Sequence, residues 1–77
     1  MISIWILEPW QKRLLAEYWQ LEEKIDVLKE FLDDDKNQRL LAEGEWKRLF
    51  EQWERMTSYL EILHIRIQSF TDPIVTA

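Results

Sequence analysis

The 77 residues contain no cysteine. This excludes a disulfide framework, thiolate chemistry and every zinc or redox motif built on cysteine. Glycine occurs once and proline twice, too few for a turn-rich all-β fold. Basic residues are outnumbered, ten Lys and Arg against fifteen Asp and Glu, for a formal net charge of −5. That balance opposes the counterion-releasing contacts on which nonspecific binding to long nucleic acid depends. It leaves small phosphorylated ligands open, because a few converging cations outweigh the whole-molecule sign at contact distance. Nor is there a long hydrophobic run. The opening MISIWIL is far shorter than a membrane span and lacks the basic flank and small-residue cleavage site of a signal peptide. The chain reads as cytoplasmic, without a membrane partner.

What remains is 47% hydrophobic and 32% charged, arranged with helical periodicity. Trp10, Leu14, Leu21, Ile25, Leu28 and Leu32 fall on one face, with Tyr18 between Leu14 and Leu21. Pro9 suits a first helical turn, where its missing N–H has no intrahelical partner to lose, so a first helix is expected over residues 9–32. Asp33, Asp34 and Asp35 set three negative charges at the negative end of the helix dipole and mark a turn. Residues 37–43 read as a short helical turn or a frayed entry to the next helix, with Gly44 as the break. Trp46, Leu49, Trp53, Met56, Leu60, Leu63, Ile67 and Phe70 then alternate in steps of three and four, the seam of a coiled coil. Thr71, Asp72 and Pro73 are expected to end this second helix at residue 70.

Two amphipathic helices with a short connection should fold back seam to seam. The expected fold is all-α: an antiparallel helical hairpin over residues 9–70, flanked by an apolar N-terminal segment (1–8) and a C-terminal tail (71–77). One pair of helices buries little, and Trp19, Val27, Phe31, Phe50, Ile62 and Ile65 lie off the seams. A homo-oligomer is therefore expected.

Leu41, Glu45, Arg48-Leu49, Gln52, Met56, Tyr59, Leu63 and Arg66-Ile67 follow a spacing that resembles the helical-hairpin domain of phage anti-CBASS and anti-Thoeris sponge proteins. Arg13, Glu17, Leu21, Lys24, Leu28 and Phe31-Leu32 are similar to that family's first helix. The likeness covers about residues 11–70. It implies a phage protein, acting in the infected bacterial host, that binds cyclic oligonucleotide or cyclic ADP-ribose-type messengers without cleaving them. It also implies a homo-oligomer with pockets between protomers. The N-terminal MISIWILEPW and the triple-aspartate connection depart from the family pattern.

The candidate ligand-binding residues come from helical phase. Arg48, Gln52, Arg55, Tyr59, Ile62 and Arg66 lie within about 40° of one line, roughly 100° from the second seam. Guanidiniums there can grip phosphate bidentately while a phenol stacks on a base or ribose. Arg13, Gln20, Lys24, Val27 and Phe31 form a matching border on the first helix. The ordinary account makes these boundary residues, with stems over the seam and heads paired to acids, and Lys24 a solvated ion-pair member. Arg13, Lys24, Arg48, Arg55, Tyr59 and Arg66 are the candidates. Trp10 and Trp46 neighbour basic residues, but their phases are those of the seam.

His64 has Glu61 three residues before it, the spacing of half a di-iron site. The first seam offers no carboxylate to complete it, so neither a metal nor a cofactor is expected. Ser3, Ser58 and Ser69 lack an arranged base, and no catalytic residue is assigned. The second functional reading is a structural or protein-binding module whose off-seam apolar face captures a partner helix.

Overall fold

The computed structural model describes the backbone of residues 7–75 and side chains through residue 70; most of the apolar N-terminal segment lies outside the described residues. Helix α1 (Pro9–Asp33) is followed by the short α2 (Asp35–Leu40) and the long α3 (Glu45–Val75). Among the described residues there is no strand. The fold is all-α, a rod of 51 × 18 × 17 Å whose length is close to the roughly 46 Å that the 31 residues of α3 span at 1.5 Å each.

Local chemistry explains where each helix starts. Pro9 occupies the first turn of α1, and the Gln11 side chain accepts a hydrogen bond from the Glu8 N–H at 2.7 Å, half of a capping box. The aspartate run does more than repel. Asp33 closes α1, and Asp34 accepts from the Lys36 N–H at 3.0 Å to cap α2. Asp35 then sits at the positive end of the α2 dipole. The carbonyls left at the end of α1 are taken up by side chains: Asn37 Nδ2 donates to Phe31 O at 3.0 Å and Trp46 Nε1 to Leu32 O at 3.4 Å.

Gly44 has φ +83° and is the third residue of a turn closed by the Glu45 N–H donating to Ala42 O at 3.0 Å. A Cβ there would meet the flexible tip of Arg48 at 3.2 Å, so the obstacle to a side chain is the backbone angle rather than space. Gly44→Ala should cost about 1–2 kcal/mol, read as a fall of several degrees in the far-UV circular dichroism melt. A melt unchanged within error would show that the turn does not need glycine.

The expected stop at Thr71-Asp72-Pro73 is corrected by the structure, in which α3 continues to Val75. Residues 71–75 are thus helix rather than tail. Pro73 removes the hydrogen bond to Ser69 O but fixes φ near the helical value, and in the last turn only one intrahelical bond is forfeited.

The hairpin is antiparallel, as three side-chain pairs along its length show. Trp46 reaches Leu32 at the connection, Tyr59 meets Glu17 midway, and Trp10 packs edge-on against Phe70 at the open end, centroids 5.8 Å apart. Both seams point inward. Leu14, Ile25, Leu32 and Leu63 are buried, Leu63 completely at 0%, while Leu21, Leu28, Leu49, Trp53, Met56, Leu60 and Ile67 are half-buried. The first seam opens at its N-terminal end, where Trp10 packs against Phe70 and stays 49% exposed. Trp46 and Trp53 are seam residues that bracket Phe50 in an aromatic row, with centroids 5.4 and 5.9 Å apart. The indole N–H of Trp53 is buried without a partner among the described residues.

Candidate functional site

Because the helices run antiparallel, the two borders that lie on the same side of their seams meet on one flank of the rod. There the gap between α1 and α3 forms a groove of about 640 Å³, within the size range of small-molecule sites. Val27, Leu28, Phe31 and Met56 make its apolar surface; Gln20, Glu23, Lys24 and Gln52 supply the polar groups. Phe31 and Val27 stay exposed at 37% and 60%. Among the described residues the Gln52 amide donates only to the weak acceptor Met56 Sδ, at 3.8 Å.

One helical turn beyond the groove, the Tyr59 hydroxyl donates a hydrogen bond to Glu17 Oε1 across the hairpin. This bond raises the Tyr59 pKa above its usual 10.0, helped by partial desolvation and the Glu17 charge, while Arg66 acts in the opposite sense. Arg66 therefore lies within electrostatic reach of the phenol. The folded chain holds this proton more tightly than the unfolded chain does. The bond's contribution is complete below about pH 10 and is lost as pH rises through the raised pKa. Tyr18, on the opposite flank, is also raised, first by desolvation and then by Glu22. A titration followed at 295 nm should therefore place both tyrosine midpoints above 10, with one of them lowered in Glu17→Gln. Two ordinary midpoints would contradict the cross-helix bond.

The six candidates fall into distinct settings. Lys24 lines the groove; on the same flank Tyr59 follows one helical turn beyond it and Arg66 two turns after Tyr59. Arg13 is exposed one turn before Glu17, toward the open end. Arg48 is turned back on its own helix, where Nη2 and Nε bond Glu45 Oε2 at 2.8 and 3.1 Å; this is the one ion pair among the described residues. Arg55 sits with Glu51, Glu54 and Ser58 in a shallow depression on the outer face of α3, apart from the groove. Glu17, absent from the candidates, is a partner in the Tyr59 contact. Its place between Arg13 and Gln20 on the first border was the available signal.

On the opposite flank the Tyr18 and His64 rings lie 6.1 Å apart, beside Leu60, Glu61 and Ile65. Among the described residues no three His, Cys, Asp or Glu side chains converge to hold a metal, and no helix is long and apolar enough to cross a membrane.

A helical hairpin with an amphipathic groove along one flank is the architecture of a small binding module. The chain belongs to the Sequestin family, whose model matches residues 8–69. That match bears out the resemblance to phage sponge domains and points to a sequestering role. No curated protein and no solved structure matches the chain.

Proposed function

We propose that this chain is a phage anti-defence sponge: it binds cyclic oligonucleotide or cyclic ADP-ribose-type immune signals in the infected host cell and holds them uncleaved. The observation that carries the reading is the meeting of an apolar groove with Lys24, Tyr59 and Arg66 on one flank of a Sequestin hairpin. Apolar walls favour a base, and cations at the edge favour phosphate. Arg13 extends the same basic edge. Arg48 and Arg55 join the ligand only if Arg48 leaves Glu45 or a second copy carries Arg55 toward the groove.

Titration calorimetry against a panel of cyclic di- and trinucleotides and cyclic ADP-ribose isomers tests this proposal. Binding of at least one member is expected. Failure of the whole panel, with a host or phage protein recovered on the chain instead, would favour the helix-capturing module. That second reading draws on the exposed Trp19, Ile62 and Ile65.

The same apolar residues support a homo-oligomer. If copies cover them, folding is coupled to association, and the melting temperature rises with protein concentration. Melts at concentrations a hundredfold apart should differ by several degrees. Coincident melts together with a monomer mass by sedimentation would remove the oligomer from the proposal.

A further inference from the structure

We infer that the groove between α1 and α3 is a base-seating subsite, in which Phe31 stacks on a nucleobase and the carboxamide of Gln52, facing it from α3, bonds its edge. The inference rests on the sequestering proposal for the class of ligand and adds where and how the base is held. Neither residue was a phosphate candidate.

The chemistry of the lining is that of a base site rather than a phosphate site. Lys24 is the one cation among the groove residues, and the carboxylate of Glu23 shares the groove with it, which disfavours an anion buried there. The apolar surface includes an aromatic ring that is partly exposed at 37% and so has area left to cover. Base–aromatic stacking tolerates any base because each has a π face. A base edge also carries donors and acceptors side by side. A carboxamide presents one of each and pairs with such an edge bidentately.

The Gln52 amide is available for that task. Among the described residues it has only the thioether of Met56 at 3.8 Å, an acceptor that a base oxygen or nitrogen would outcompete. Gln52 comes from α3 and Phe31 from α1, so a flat ring in the groove is stacked by one helix and bonded at its edge by the other. The next turn along the rod, about 5 Å further, brings Glu17 and Tyr59, and Arg66 follows two turns after Tyr59, about 10 Å beyond it. A base in the groove leaves its sugar and phosphate beside Lys24 and leading toward Arg66, away from Glu23.

Proton–nitrogen NMR of the labelled full chain reads this directly, because glutamine NH₂ groups give their own signals. The probes are adenosine, cyclic di-AMP, cyclic di-GMP and ribose 5-phosphate, the last having no base, together with any panel member that binds. The two Gln52 side-chain signals should move with base-bearing probes and stay in place with ribose 5-phosphate. Phe31→Ala should weaken a bound nucleotide by about 5- to 150-fold. Gln52→Leu, at an exposed position, should weaken it too while leaving the melt and assembly mass unchanged, a control should Phe31→Ala disturb folding.

If a cyclic nucleotide binds while both amide signals stay still and Gln52→Leu binds normally, the base subsite is wrong and the sponge stands. If adenosine moves the amide signals but no cyclic nucleotide binds, the subsite stands and the sponge falls. Silence toward every probe overturns both.

Discussion

Leu63→Ala should lower the stability of the fold by about 3–5 kcal/mol. Among the described residues Leu63 is the one side chain sealed completely from solvent, and Leu14, Ile25 and Leu32 are the others buried with it. It lies on α3 between Tyr59, bonded to Glu17, and His64, whose ring faces Tyr18. Its removal opens a void where the helices are pinned on both flanks, leaving little freedom to collapse. For a chain this small, each kcal/mol is worth roughly 4–8 °C in melting temperature, so the variant should melt at least about 12 °C lower or be unfolded at 37 °C. Leu40→Ala is the control. Leu40 is 82% exposed on α2, and its truncation should stay within about 0.5 kcal/mol. Equal effects in the two variants would contradict a core centred on the seam.

Lys24→Ala and Arg66→Ala should each weaken the messenger by about 10- to 150-fold, the worth of a hydrogen bond to a charged group. Arg55→Ala should change affinity little, since its neighbours are Glu51, Glu54 and Ser58 on the outer face of α3. Calorimetry with whichever panel nucleotide the wild-type chain binds separates these outcomes. The Lys24 and Arg66 contributions should also shrink between low and high salt, because both side chains are exposed. If Arg55→Ala abolished binding while Lys24→Ala and Arg66→Ala did not, the ligand would belong on the outer face of α3, and the groove would lose its role.

The hairpin was legible because steps of three and four along α3, and of three, four and seven along α1, can be satisfied only by burying one stripe of each helix. The end of α1 was legible too, although the reason differs: repulsion among three aspartates predicted a turn, and the structure adds that Asp34 caps the next helix. Pro73 was read too strongly. A proline breaks a helix when many bonds lie beyond it, and in α3 almost none do.

The site divides along a similar line. Helical phase alone put Lys24, Tyr59 and Arg66 on borders, and antiparallel packing is enough to bring those borders to one flank. Phase does not fix rotamers or register. Arg48 has the phase of the border yet folds back to Glu45, three residues away, a local choice between two nearby partners. The contact of Tyr59 with Glu17 needs the offset between helices, which the connection through α2 and Gly44 sets and neither seam encodes.

The central claim is that the messenger is held and not consumed. Its most direct test loads the chain with a bound panel nucleotide, removes the excess, denatures the protein by heat and identifies what is released by liquid chromatography and mass spectrometry. The account predicts recovery of the cyclic nucleotide with its mass unchanged, in proportion to protein, after prolonged incubation. Linear or hydrolysed products that accumulate with time would make the chain an enzyme and contradict it.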